Sequence, residues 1–111
     1  MLSQHAMTTQ FSALGDATRF AIIQRLSKGE LSVSELTSQF SLTQPTITSH
    51  LNVLEKAGLI VRRKAAQKRI CQLNPEAISQ LGELLNAVGK QWSSRLGRLA
   101  SYSNSQGKKK D

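Results

Sequence analysis

The stretch that decides the fold is residues 41–51, SLTQPTITSHL. It places a proline near the start of a segment whose apolar residues recur at helical spacing. If Thr43 is the N-cap, Pro45 is the second helical residue, where the backbone N–H has no intrahelical partner and proline costs little. The segment and the residues after it therefore predict a helix that begins here, with Ile47, Leu51 and Leu54 on its buried face.

The opposite face of this helix carries short hydroxyls and amides, and it has no carboxylate near its N-terminal end. Such side chains can bond to phosphates and to base edges in the DNA major groove, where Asn or Gln can bond adenine bidentately. The alternative is an ordinary helical hairpin with a polar exposed face. The predicted DNA contacts of this helix are Thr43, Gln44, Pro45, Thr46, Thr48, Ser49 and Asn52.

Three shorter helices are predicted before it. The first ends at Gly15, and Asp16 is a good N-cap for the second. The third opens on an S-x-x-E capping box formed by Ser32 and Glu35. This third helix, the turn at 41–43 and the helix that follows together predict a helix-turn-helix. The apolar stripe of the second helix is predicted to contain Phe20, Ile23 and Leu26.

Residues 59–74, LIVRRKAAQKRICQLN, predict two short strands, Leu59–Arg63 and Arg69–Leu73. Their connection around 65–68 lacks glycine, which favours a longer loop over a tight primed turn. A hairpin directly after a recognition helix is a wing, and its cations would lie near the phosphate backbone that flanks the groove. The predicted wing contacts are Arg62, Arg63, Lys64, Lys68 and Arg69.

A long helix is predicted from Pro75 to about Tyr102. Its apolar residues repeat at intervals of three and four, as in a heptad seam. A helix this long and apolar is hard to cover within a chain of 111 residues. Pairing with a second copy of the chain would cover it.

The charge balance points to a polyanionic partner. Fifteen Lys and Arg oppose seven Asp and Glu, which gives a net charge of +8. Such an excess suits nucleic acid or an anionic membrane surface. No run of eighteen apolar residues occurs, so we expect no membrane-spanning segment and no membrane partner. The cluster of cations at 62–69 favours double-stranded DNA.

The chain is predicted to form one domain with short flanking segments. Residues 1–6 are expected to be a flexible N-terminus, 7–102 a winged-helix DNA-binding and dimerisation domain, and 103–111 a basic disordered tail. The N-terminus lacks the pattern of a signal peptide, which makes a cytoplasmic location the default expectation. The single cysteine, Cys71, cannot form an intrachain disulfide, in agreement with that compartment.

Residues 8–102 resemble the ArsR family of winged-helix repressors. The marks of the resemblance, in this order and spacing, are LGDATR at 14–19, LSVSEL at 31–36, LTQPTITSHLNVLEKAGLI at 42–60 and QLNPEAI at 72–78. One departure is Ala17, where many members carry proline, although Asp16 still supplies the cap. The ending QWSSRLGRLASY is similar to a branch that lacks the known metal sites.

The resemblance implies a mainly α-helical fold with a small β-hairpin wing, dimeric through its first and last helices. It implies two recognition helices that read a pseudo-palindromic operator with half-sites about one helical turn apart. Such proteins usually repress transcription by blocking a promoter. By position, the base or phosphate contacts are Gln44, Thr46, Thr48, Ser49 and Asn52. The dimer interface is expected to contain Phe11, Leu81, Leu85, Val88, Trp92, Leu96 and Leu99.

The known metal sites of this family are not matched. One uses two thiolates in an ELCVCDL pattern, but the corresponding stretch here is ELSVSEL, with Ser32 and Ser34 at the cysteine positions. Serine hydroxyls do not replace thiolates as ligands for thiophilic metals. The other uses Asp, His and Glu on the last helix, where this sequence has no His, Asp or Cys. We therefore expect no metal and no cofactor.

Catalysis is not expected, since the sequence has no glycine-rich phosphate loop, no spaced ligand cluster and no supported Ser–His–acid set. Three alternatives to a metal-independent repressor stay open. One is a regulator with an organic effector bound near Trp92 and Tyr102; the identity of any effector is unknown. Another is a thiol response at Cys71. The third is a protein-interaction module built on a winged helix.

Overall fold

A computed structural model describes the backbone of residues 3–104 and the side chains of residues 3–98. The elements, in chain order, are α1 (Gln4–Leu14), α2 (Ala17–Leu26), β1 (Leu31–Ser32), α3 (Val33–Thr37), α4 (Gln44–Lys56), β2 (Ile60–Ala65), β3 (Lys68–Leu73) and α5 (Pro75–Asn104). The predicted class, mainly α with a small hairpin, is confirmed. Among the described residues, no helix is long and apolar enough to cross a membrane.

The chain divides into two compact units, one ending at Ile78 and the other beginning at Ser79. The helix α1 begins at Gln4, where the Ser3 hydroxyl caps it by accepting the N–H of Ala6 at 3.0 Å. The helix α5 continues through Asn104. Most of the predicted basic tail, residues 105–111, lies outside the described residues, so the domain boundaries stay predictions.

The predicted helix caps are present because each depends on contacts only two or three residues apart. The carboxylate of Asp16 accepts the N–H groups of Thr18 and Arg19. At the start of α3, Ser32 and Glu35 form the reciprocal capping box. These caps satisfy backbone donors that a helix N-terminus otherwise leaves without partners.

The core of the first unit is centred on α4. Ile47, Leu51 and Leu54 are fully buried, as the sequence predicts. In α2 the buried residues are Ile22 and Leu26, whereas Phe20 is 49% exposed. The prediction that Phe20 lies in the buried stripe is therefore wrong. The buried face of α2 is the one that carries Ile22 and Leu26, and Phe20 projects about 120° away from Leu26 around the helix.

The end of α4 is held firmly. Gly58 has a positive φ of 83°, and the N–H of Leu59 donates to the Leu54 carbonyl at 3.0 Å. This Schellman arrangement suits glycine, which has no Cβ to hinder the left-handed conformation. Leu59 is fully buried. The side-chain amide of Asn74 adds a hydrogen bond of 2.9 Å to the Gly58 carbonyl.

The three strands form an antiparallel sheet in the order β1-β3-β2. The strands β2 and β3 pair from Ile60 opposite Leu73 to Ala65 opposite Lys68. Only Ala66 and Gln67 connect them, and Ala66 has a φ of 57°. The prediction of a longer loop is therefore wrong. The strands stay paired up to the turn, and Ala66 adopts the positive φ that primed turns require. The two-residue strand β1 was not predicted.

Candidate nucleic-acid interface

The N-terminus of α4 is built as the sequence predicts. Thr43 is the N-cap, and its hydroxyl oxygen accepts the N–H of Thr46 at 3.3 Å. The same hydroxyl donates to the side-chain oxygen of Thr46 at 3.0 Å. Pro45 lies in the first turn, where its missing N–H costs no hydrogen bond. The exposed helix start therefore presents backbone N–H groups and the positive end of the helix dipole.

The predicted contact residues lie on the surface of α4. Six of the seven are exposed and Thr48 is half-buried; the exposed ones are Thr43, Gln44, Pro45, Thr46, Ser49 and Asn52. Gln44, Thr48 and Asn52 are four residues apart and form one row along the helix, here called the α4 row. Its members face the hairpin, since Gln44 and Thr48 share a groove with the hairpin tip and Asn52 bonds to Arg62 of β2.

The groove encloses about 440 Å³ between α3, α4 and the hairpin. Most of its lining side chains are hydroxyls, amides and cations: Ser32, Val33, Ser34, Gln44, Thr48, Gln67, Lys68 and Arg69. No lining side chain is a carboxylate. Hydrogen-bond donors and positive charge at the start of a recognition helix are what a phosphate backbone and base acceptors require.

The five predicted wing cations fall into two groups. Arg63 forms an ion pair with Glu30, in which one guanidinium nitrogen, Nη2, lies 2.8 Å from each of the two carboxylate oxygens. Arg62 pairs with Glu55 at 2.6 Å and is only 15% exposed. Lys64, Lys68 and Arg69 are exposed and form no ion pair with any described residue. These three therefore carry the charge available for phosphate contact.

The acidic partners of Arg62 and Arg63 were missed by sequence reasoning. Glu30 is thirty-three residues from Arg63, and only the three-stranded sheet brings them together. Glu55 precedes Arg62 by seven residues, across the turn from α4 to β2. A carboxylate within the cationic segment would have been a usable signal, but 62–69 contains none.

His50 is on α4 but belongs to a packed cluster beside Asp16 and Arg19. Its Nδ1 lies 3.4 Å from an Arg19 guanidinium nitrogen and 3.9 Å from an Asp16 carboxylate oxygen. The backbone N–H of Arg19 that donates to Asp16 is the main reason the pKa of that carboxyl lies below its ordinary value, and the nearby charges of Arg19 and His50 act in the same direction. The cluster joins α4 to the start of α2.

Two further observations concern the alternative functions. Cys71 is fully buried, and burial raises the pKa of its thiol. Within residues 3–98, no three His, Cys, Asp or Glu side chains converge as metal ligands would. Near Trp92 the structure forms a concavity of only about 140 Å³. Pockets for organic ligands are usually about 300 Å³ or more.

The predicted dimer residues of α5 are apolar and mostly exposed. Leu85, Val88, Trp92 and Leu96 are between 43% and 57% exposed, and they are here called the apolar stripe. At 100° per residue they span an arc of about 80° on the helix. Leu81 is buried and Phe11 of α1 is half-buried. The side chain of Leu99 lies outside the described residues.

A helix-turn-helix made of α3 and α4, followed by a cationic hairpin beside the α4 row, defines a winged helix-turn-helix DNA-binding protein. Residues 14–63 match the family model of a helix-turn-helix domain. The HTH-type transcriptional regulator Rv2034 of Mycobacterium tuberculosis is 35% identical over 97 residues, covering 87% of this chain and 88% of that protein. An arsenical resistance operon repressor of Staphylococcus xylosus is 31% identical, covering 78% of this chain and 84% of the repressor.

A solved structure agrees with these relatives. The crystal structure of an ArsR family transcriptional regulator matches with a TM-score of 0.72 and 31% identity, over 84% of this chain and 96% of that one. The chain belongs to the ArsR family of winged helix-turn-helix transcriptional regulators. It is a DNA-binding transcriptional regulator, which is not a class of enzymes. The predicted family, fold and function class are confirmed.

Proposed function

We propose that this protein is a homodimeric repressor that binds a pseudo-palindromic operator without sensing a metal. The observation that carries the proposal is the α4 row, with Gln44 and Thr48 in a groove next to the exposed cations Lys68 and Arg69. Groups that bond to bases and groups that bond to phosphates thus lie side by side. Such a surface can read sequence while charge supplies affinity.

The proposed contacts divide by chemistry. Hydroxyl and amide side chains of α4, together with the helix start, bond to bases or phosphates: Thr43, Gln44, Pro45, Thr46, Thr48, Ser49 and Asn52. The unpaired wing cations Lys64, Lys68 and Arg69 contact the phosphate backbone. Arg62 and Arg63 already pair with carboxylates, so we assign them to holding the wing in place.

The apolar stripe of α5 supports the homodimer. Four large apolar side chains on one helix face, all about half exposed, are costly in water. A second copy can cover this stripe with its own, which is the self-complementary contact of a two-fold dimer. The interface is proposed to contain Phe11, Leu81, Leu85, Val88, Trp92, Leu96 and Leu99. Two-fold symmetry of the protein would then be mirrored in the operator.

The lack of metal sensing is supported by what Ser32 does. Its hydroxyl caps α3, its N–H donates to Glu35 at 2.8 Å, and its backbone pairs with β3. This residue is committed to local structure. Neither its hydroxyl nor that of Ser34 offers the soft sulfur ligand that thiophilic metals select.

The test is selection of bound sequences from a random DNA pool, followed by fluorescence anisotropy over a range of salt concentrations. We expect a two-fold-symmetric site. Replacing Lys64, Lys68 and Arg69 together by alanine should lower the salt slope by up to about 0.9 per phosphate contact removed. The matched control is Lys28→Ala, an exposed cation outside the groove, which should leave the slope unchanged.

Other outcomes would contradict the proposal. Selection of no motif, or unchanged binding in the triple variant, would favour a protein-interaction module instead. An asymmetric motif would contradict the homodimer. Repression is tested separately, by placing the selected site over a reporter promoter; a rise in transcription with the protein present would reverse the assigned sign.

A further inference from the structure

Arg62 lies between the wing and the recognition helix. From β2 it donates to the Asn52 side-chain oxygen at 2.6 Å and to a Glu55 carboxylate oxygen at 2.6 Å and 3.2 Å. Asn52 and Glu55 are three residues apart on α4, so both lie on the helix face toward the wing. Because Arg62 is largely covered, its charge is used within the protein.

The bond to Arg62 fixes the orientation of the Asn52 amide. A guanidinium has donors and no acceptor, so the amide atom that faces it must be the oxygen and not the nitrogen. The amide NH₂ of Asn52 therefore points away from Arg62, and it has no hydrogen-bond partner in the described part of the chain. Asn52 is exposed, both of its N–H donors are unused, and its oxygen keeps one lone pair beside the bond to Arg62.

This orientation changes what Asn52 can recognise. An asparagine that binds adenine uses both edges of its amide, donating to one base atom and accepting from another. Here a charged donor already occupies one of the two lone pairs of the oxygen, so the N6–H of an adenine would have to share that oxygen with Arg62. An acceptor on DNA, such as guanine O6 or N7 or a phosphate oxygen, matches the free NH₂ group.

We propose that Arg62 is a positioning residue that turns the Asn52 amide, so that Asn52 presents its NH₂ group to DNA and favours guanine, which offers two acceptors, or a phosphate oxygen over adenine, which offers one acceptor and one donor. The proposal rests on the role of α4 as the recognition helix. It also explains how Glu55 is tolerated on this face of α4, since Arg62 neutralises a carboxylate that DNA would otherwise repel.

The experiment uses the full-length protein and the site selected by it. The variants are Asn52→Ala, Arg62→Met combined with Glu55→Gln, and the triple combination. The Arg62–Glu55 double variant conserves net charge and keeps an apolar stem in place of the arginine. Lys64→Ala, an exposed cation on the same strand, serves as the matched phosphate-contact control. Melting curves establish that each variant is folded. A further variant, Arg62→Lys, keeps a positive donor at this position and should bind the operator more tightly than the Arg62–Glu55 double variant.

We expect the double variant to lose about tenfold in operator affinity with no change in salt slope, whereas Lys64→Ala lowers the slope by about 0.9. In the Asn52→Ala background, the double substitution should cost little further, because both changes remove the same contact. Binding to sites with each base at every position identifies the acceptor. A loss by Asn52→Ala at one base position means a base acceptor, and an equal loss on all sequences means a phosphate.

Three results would overturn the proposal. One is a fall in salt slope for the double variant like that for Lys64→Ala, which would make Arg62 a phosphate contact. The second is additive losses in the triple variant. The third is wild-type preference for adenine at the position that depends on Asn52. Selection of no motif would overturn the operator assignment as well, so failure of the two proposals is distinguishable.

Discussion

Ala66, at the tip of the wing, has a side chain at a backbone position that favours glycine. Its φ of 57° lies in the left-handed region, which costs an L-residue about 1–2 kcal/mol. We expect Ala66→Gly to stabilise the protein by about 0.5–1 kcal/mol, because the relief of strain exceeds the added entropy of the unfolded chain. Chemical denaturation measures the change. The control is Gln67→Gly, next in the turn and without a positive φ, which should destabilise. Equal changes in stability for Ala66→Gly and Gln67→Gly would mean that the backbone of Ala66 is not strained.

The reactivity of Cys71 decides whether a thiol response is possible. The thiol is fully buried, and burial raises its pKa, so little thiolate forms near neutral pH. We expect a thiol reagent to react with the native protein more slowly than with the urea-unfolded protein, by on the order of 100-fold. A Cys71→Ala, Gln67→Cys variant provides an exposed thiol as the control and should react rapidly in both states. Rapid labelling of native Cys71 would restore the thiol-responsive alternative.

At the scale of elements, the sequence predicted what depends on neighbours along the chain. The caps at Asp16, Ser32 and Thr43 need only contacts two or three residues away, and each is present. The strand β1 could not be predicted, since two residues carry no periodicity and their pairing partner β3 lies nearly forty residues further along. The tight turn at Ala66 was missed because its own residues do not favour it.

The same distinction applies to the candidate site. The polar face of α4 follows from helical periodicity, so its residues could be predicted one by one. The pairing of Arg62 with Glu55 and of Arg63 with Glu30 depends on how strands and helices meet. Counting cations in 62–69 therefore predicted the location of the wing charge but not which cations remain available for phosphates.

The capping box of α3 gives a testable pH dependence. Hydrogen bonds from the Ser32 backbone and hydroxyl hold the pKa of Glu35 below its ordinary value, and the nearby charge of Lys68 adds to this effect. Because the pKa is lower in the folded state, the stabilisation is fully present above pH 4.5, the ordinary value, and is lost as pH falls through the folded pKa. We expect the wild-type free energy of unfolding to decrease in that acid range.

The comparison variant is Glu35→Gln. Glutamine retains an oxygen that can accept the Ser32 N–H but does not titrate, so this variant should lose less stability below pH 4.5 than the wild type. Urea denaturation from pH 7 to pH 3 measures both proteins. If the free energies of unfolding of the two proteins fell in parallel with pH, the charge of Glu35 would not contribute to the stability of the capping box.

At the scale of the whole molecule, operator binding by the proposed homodimer depends on how two copies meet. A single wing and recognition helix reach one half-site, whereas a symmetric operator needs two held at a fixed spacing. The apolar stripe is the feature of α5 that can fix this spacing, because its four side chains expose a continuous face. Oligomeric state and operator affinity should therefore change together.

We expect Leu85→Glu to convert the proposed dimer to a monomer, since it places a charge at a side chain that is 57% exposed in the single chain and would be buried between two copies. Sedimentation velocity should show the change. The control is Asn86→Glu, the adjacent exposed residue, which projects about 100° away on the helix and should remain dimeric.

Loss of the dimer should lower operator affinity by at least about 100-fold, because two half-sites would then be bound as independent events. Binding to an isolated half-site should be nearly the same for Leu85→Glu and the wild type, since α4 and the wing are untouched. This comparison separates lost dimerisation from lost folding, because an unfolded variant would bind neither the full operator nor the half-site. A monomeric variant that still binds the full operator with wild-type affinity would mean that each recognition helix acts alone, and the symmetric operator would then need another explanation.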